Sequence, residues 1–212
     1  MKVLLFDPFN GAAGDMIIGS LLDLGADEGF VRAAMRSVVG EPTIERVDRS
    51  GIQAIQVRTN APVQHRSLDE VLDIVAGSDA PAAAREMARR VFLRIHRAEE
   101  SIHGEGAHFH EVGADDAIAD VLGACTALHS LGVEKVAVHP VALGRGFAVG
   151  AHGTFPIPAP ATVAILAESN LATVPGNEER ELCTPTGAAL LAEFSTTRSQ
   201  DLGPAAIRAV GY

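Results

Sequence analysis

The stretch from His103 to Asp116, H-G-E-G-A-H-F-H-E-V-G-A-D-D, puts three histidines and four carboxylates within fourteen residues. Imidazole nitrogen and carboxylate oxygen together suit nickel, zinc or another late first-row ion. If His108-Phe109-His110 is extended, its two imidazoles point to one face about 6 to 7 Å apart, a spacing from which both can lean onto one ion. Phe109 then points the other way, into the core. Glu111 follows directly, and His103 lies at the expected end of the preceding helix. The competing reading is a solvated loop whose histidines cap helix ends. A His-x-His pair alone favours that reading; Glu111, His103 and the carboxylates downstream favour a metal site.

Those carboxylates begin the next helix. The helix macrodipole accounts for Asp115 and Asp116 in its first turn. Asp120 lies one turn further in, among Ile118, Val121 and Leu122, where a partly buried carboxylate needs a partner. Holding a ligating imidazole in one tautomer is one role it could fill.

Two further stretches combine small residues with helix starts. D7-P8-F9-N10-G11-A12-A13-G14-D15 places an acid at the carboxyl end of a strand, where α/β sheets usually bind ligands. It is neither a P-loop nor the dinucleotide fingerprint. Asp15 would repel a bare phosphate, so Asp7 and Asp15 fit a cation, or a phosphate reached through one; a turn Asp and a helix cap explain them equally well. In C183-T184-P185-T186-G187-A188-A189, Thr184 is a natural cap and Pro185 a natural first helical residue. The small residues beyond would let an anion approach main-chain N–H groups, although capping alone explains the motif. His65 and His152 also occur in loops, where such histidines are individually more often surface residues than ligands. His96, His129 and His139 are read as structural, and no Ser-His-Asp or Cys-His arrangement emerges from the spacing.

The elements that must position these residues follow from periodicity. VLLF at 3–6 is a strand, and the amphipathic MIIGSLLDLG is a helix ending at Gly25. Asp27 caps a helix over 28–38. TIERVDR and IQAIQVRT, parted by Ser50-Gly51, alternate as a β-hairpin. Ser67 with Glu70 forms a capping box for a helix to about Ala76, and Pro81 starts a longer one to about His103. AIADVLGACTALHSLG is helical up to Gly132, VEKVAVHPVAL is strand, and two short helices are expected at 160–168 and 186–194. Gly144 to Pro160 reads as a long irregular segment. The class is α/β, a mixed sheet with flanking helices and one antiparallel hairpin. Residues 1–195 form the domain, and 196–212, polar and weakly ordered, start a linker or a following domain.

Composition narrows the function. A hydrophobic share of 47% supplies a packed core, and a net charge of −10 without a Lys/Arg cluster argues against nucleic acid or a polybasic membrane anchor as partner. No apolar run approaches the ~20 residues of a membrane span. Two cysteines, Cys125 and Cys183, neither in a C-x-x-C pair, suit a reducing compartment.

FDPFNGAAGDMIIGSLLDLG, HRSLDEVLDIV, HFHEVGADDAIADVLGA, GRGFAVGAHGTFPIPAPAT and ELCTPTGAALL, in this order, resemble the N-terminal region of the LarC family, the nickel insertion proteins of lactate racemase maturation. The resemblance runs from about residue 1 to 195. It implies a cytoplasmic, lyase-type (chelatase-like) enzyme that delivers nickel to pyridinium-3,5-bisthiocarboxylic acid mononucleotide, forming the metal–carbon and metal–sulfur bonds of the nickel-pincer nucleotide. Carried onto this sequence, it makes His108, His110 and Glu111 the main nickel ligands, supported by His65, His103 and His152. It assigns the mononucleotide to the backbone of Gly11, Ala12, Ala13 and Gly14 and of Thr184, Thr186 and Gly187. Asp7 and Asp15 would hold a divalent ion or the cationic ring, with Asp116 and Asp120 completing the catalytic set.

Members of the family are typically about twice as long, with a C-terminal part associated with CTP and magnesium or manganese. The expectation is therefore a truncated or split-gene chain that needs that part. Its expected partners are the nucleotide, a separate C-terminal LarC chain, a lactate racemase-type acceptor, and further copies of itself in a homo-oligomer. The long His-rich tract of some members is missing, which argues against bulk nickel storage. The alternative is a non-catalytic nickel metallochaperone module. A third reading is a metal-dependent phosphoesterase using Asp7, Asp15, Asp116 and the histidines around two ions.

Overall fold

The computed structural model describes residues 1–61, 64, 66–104, 109, 113–150 and 153–212. Among them are seven α-helices: α1 Gly14–Asp23, α2 Glu28–Val39, α3 Leu68–Gly77, α4 Ala82–His103, α5 Asp115–Leu131, α6 Pro160–Ala167 and α7 Pro185–Phe194. The eight strands are β1 Val3–Phe6, β2 Thr43–Arg49, β3 Ile52–Arg58, β4 Lys135–Val138, β5 Val141–Leu143, β6 Gly146–Gly150, β7 Gly153–Ile157 and β8 Thr173–Pro175. The α/β class and the mixture of parallel and antiparallel pairing are as expected. The pairing is distributed over two-stranded sheets, β1-β4 and β5-β8 parallel, β2-β3 and β6-β7 antiparallel.

The chain forms two compact units. One comprises Met1–Ala13, Val91–His108 and Val133–Pro204; the other comprises Gly14–Arg90, Phe109–Gly132 and Ala205–Tyr212. In the first, β1 runs parallel to β4 from Val3 opposite Lys135 to Phe6 opposite Val138. Phe6 stacks on Phe194 of α7 with ring centroids 6.3 Å apart, and α6 packs on α7. The Thr196 and Thr197 N–H groups both donate to the Val136 carbonyl, so the residues after α7 are fastened along β4. Within 144–160, residues 146–150 and 153–157 are strand and not irregular. They form the β6-β7 hairpin, whose two strands are rich in Gly and Pro and therefore carry little strand signal. His139-Pro140 splits the strand expected over 133–143 into β4 and β5, because Pro donates no ladder hydrogen bond.

In the second unit α5 is the central helix. Ten of its residues, from Ile118 through Leu128, are buried, and α1 and α2 pack against it. The predicted caps form: Asp27 accepts from the Phe30 N–H, and Ser67 and Glu70 make a complete capping box. The β2-β3 turn has positive φ at both Ser50 (55°) and Gly51 (84°), the pair of values a two-residue type I′ hairpin turn requires. The last residue is also bound, since the Ile55 N–H donates to the Tyr212 carbonyl and the Tyr212 N–H to Asp23.

Candidate functional site

From Phe109 on, the histidine stretch is anchored within the second unit. Phe109 is buried, at 1% exposure, and forms an antiparallel bridge with Arg66, donating its N–H to the Arg66 carbonyl at 3.1 Å. Phe109 thus goes to the core as the alternation predicted. Arg66 also donates to the Gly113 carbonyl at 2.7 Å and pairs with Asp115 at 2.6 Å, both side chains being mostly buried. Arg66 therefore holds the stretch twice: its main chain bridges Phe109, and its guanidinium ties Gly113 to the start of α5. His65, His108, His110, Glu111 and His152 lie outside the described residues. His103 is the described member of the expected ligand set; its Nε2 faces Glu99 at 3.5 Å on α4 of the first unit. Among the described residues, no group of three or more His, Cys, Asp or Glu is placed to hold a metal ion.

The same unit gathers three carboxylates where α1 begins against α5. Asp15 and Asp116 each accept the N–H of the next residue, at 2.9 and 2.8 Å. Asp120 is half-buried, and burial pushes its carboxyl up to about 8, helped by the charges of Asp15 and then Asp116; a hydrogen bond from the Asp15 N–H opposes the shift. Near neutrality Asp120 is thus largely a neutral acid that can donate a hydrogen bond. Gly14 is small for the same reason. A Cβ there would stand 2.8 Å from the Asp120 Cβ and 3.0 Å from its Oδ2.

In the first unit the two small-residue motifs lie against each other. Ala12 and Cys183 form a parallel bridge, with the Ala12 N–H donating to the Leu182 carbonyl and the Thr184 N–H to the Ala12 carbonyl, each at 3.0 Å. A side chain at Gly11 would collide with the Leu182 carbonyl, and one at Gly187 with the Ala12 carbonyl. The absence of side chains there is thus used by chain-to-chain packing. The α7 turn is largely satisfied as well: Pro185 has no N–H, Gly187 donates to Thr184 Oγ1 and Ala188 to the Thr184 carbonyl, so Thr184 caps the helix as predicted. Asp7 is exposed just after β1. Cys183 is buried, and burial, then the Glu181 charge, pushes its thiol up to about 12, which leaves it no thiolate to attack or ligate with near neutral pH.

The model of the nickel insertion protein family matches residues 4–212. The chain belongs to this nickel insertion family. It is 46% identical over 202 residues to a provisionally named nickel insertion protein of Methanosarcina mazei, covering 92% of this chain and 51% of that one. A counterpart in Methanococcoides burtonii is 44% identical over 218 residues, covering 100% and 54%, and one in Thermomicrobium roseum is 41% identical over 204 residues, covering 92% and 50%. This nickel insertion family chain thus spans about half the length of the curated relatives it matches. No solved structure matches it. Arg66, which fastens the histidine stretch of this family member, was missed by residue-type reasoning; the signal available was its place between His65 and the Ser67 cap. No helix among the described residues is long and apolar enough to cross a membrane.

Proposed function

We propose that the chain carries the nickel-handling part of an enzyme that inserts nickel into pyridinium-3,5-bisthiocarboxylic acid mononucleotide, giving the nickel-pincer nucleotide for a lactate racemase-type acceptor. Nickel is the cargo. His108, His110 and Glu111 hold it, with His65, His103 and His152 as exchangeable ligands, and stepwise release of imidazoles passes it to the sulfur and carbon atoms of the nucleotide. Replacing a ring hydrogen by nickel frees a proton, and Asp7, Asp15 and Asp116 are the carboxylates offered to take it. Asp120, largely protonated, serves as a hydrogen-bond donor. CTP with magnesium or manganese enters through a C-terminal part, and two free, buried cysteines suit a cytoplasmic setting.

The observation that carries this reading is the nickel insertion family match over residues 4–212, taken with a histidine-carboxylate stretch whose Phe109 is locked in the core. The half-length coverage of relatives also favours a second reading, a nickel metallochaperone module whose partner does the nucleotide chemistry. One assay separates the two: nickel, the bisthiocarboxylated nucleotide and CTP are supplied with and without the C-terminal chain. Product from the 212-residue chain alone removes the module reading. No product with both chains present removes the enzymatic one.

A further inference from the structure

The two edges of the β6-β7 hairpin in the first unit differ. Bonded and non-bonded pairs alternate along an antiparallel ladder, and Pro156 has no N–H to exchange with Phe147 opposite it. The bonded pairs are therefore Gly146 with Ile157, Ala148 with Phe155 and Gly150 with Gly153. The main-chain groups of Phe147 and Val149 point away from β7, and those of Thr154 and Pro156 point away from β6. Pro156 blunts the β7 edge. Nothing blunts the β6 edge. Its sequence, Gly-Phe-Ala-Val-Gly, holds no charge and no proline, and among the described residues no hydrogen bond reaches the main chain of Phe147 or Val149.

The two faces differ in the same way. Ile157 is buried, Ala148 and Phe155 are half-buried, and α6 packs beside β7. On the other face Phe147 is 77% and Val149 82% exposed, beside exposed Thr154 and Pro156. The hairpin of the second unit has the usual protection, since β2 alone carries Glu45, Arg46, Asp48 and Arg49. An open, uncharged, apolar edge is a template for one more strand.

We infer that β6 takes an added strand from the C-terminal part proposed above, an extended segment with apolar side chains opposite Phe147 and Val149. The chain spans about half of its longer relatives, so they hold as much chain again to supply it. Size decides against a second copy as the occupant. A five-residue edge buries far less than the ~1,000 Å² that holds separate molecules together. A segment of the same chain is present at an effective concentration of about millimolar, where so small a contact suffices. His152, offered above as an exchangeable nickel ligand, lies between β6 and β7 in sequence, so the added strand joins the CTP-associated part to the hairpin that carries this histidine. The inference rests on the C-terminal part of that reading and not on its chemistry.

The test is amide hydrogen exchange on the 212-residue chain, alone and joined after Tyr212 to the half of the Methanosarcina mazei relative that it does not cover. Alone, the Phe147 and Val149 amides exchange fast at every protein concentration. Joined, they slow at least about 10-fold. Val149→Pro removes one edge donor without removing a bond of the hairpin, and Phe147→Lys places a charge on the edge; each returns the remaining edge amide to its rate in the chain alone. Both side chains are exposed, so the unjoined variants melt with the parent. Equal edge exchange in joined and unjoined chains overturns the inference. So does slowing in the unjoined chain as concentration rises, which makes the occupant a second copy. Protected edge amides without nickel product leave the docking edge and remove the enzymatic reading. Nickel product from a joined chain whose edge amides are unprotected leaves the enzymatic reading and removes the edge.

Discussion

The loop around Gly11 and the carboxylates around Gly14 are three residues apart in sequence and look alike, small residues beside acids at helix starts, yet they solve different problems. At Gly11 the missing side chain admits a carbonyl, and the surrounding N–H and C=O groups pair across Ala12, Leu182 and Thr184. At Gly14 the missing side chain admits a carboxyl group that has no cation beside it among the described residues and holds its proton up to about 8. The first region spends its missing side chain on main-chain pairing. The second retains an unfavourable charge arrangement, the kind of environment by which sites tune acids and bases.

Stability measurements can break this distinction. Gly11→Ala combines a φ of +89° with collision against the Leu182 carbonyl, and should cost about 3 to 5 kcal/mol in denaturant unfolding. A Gly11→Ala variant as stable as the parent would remove the packing account of that loop. Asp120→Asn acts in the opposite direction. In the unfolded chain the Asp120 carboxyl ionises near 3.8, whereas in the metal-free folded chain it keeps its proton to about 8. The folded state therefore loses stability as pH rises from about 4 to 8 and levels off above. An Asn has no proton to lose, so its advantage should be absent at acid pH and grow to several kcal/mol, at most about 5, by pH 8. A pH-independent difference contradicts the charge account. The smallest effect expected is Arg66→Gln, about 1 to 3 kcal/mol, from leaving Asp115 mostly buried without its cation. It should also weaken nickel binding, because the histidine stretch loses the side chain that fastens its C-terminal end to α5, while the main-chain bridge to Phe109 stays.

Local rules explain what could be read from the sequence. The caps at Asp27, Ser67 and Thr184, the turn at Ser50-Gly51 and the inward side of Phe109 each depend on a few neighbouring residues, and all form. Asp120 was also legible, since a carboxylate among Ile118, Val121 and Leu122 has to be buried against something. The β6-β7 hairpin was hidden because its Gly and Pro residues imitate a loop. Long-range partners were hidden too: Arg66 with Asp115, and Ala12 with Cys183, are joined by folding over separations that no periodicity reports. The bonds from Thr196 and Thr197 to Val136 fall in a segment that reads only as polar, and they leave no mark in residue type.

The claim on which the functional account turns is that the H-F-H-E stretch holds the nickel. Crystals of the nickel-loaded chain, measured on both sides of the nickel absorption edge, test it most directly. The account predicts an anomalous peak within bonding distance of His108 and His110. A peak elsewhere in the protein, with those two imidazoles unligated, would contradict it.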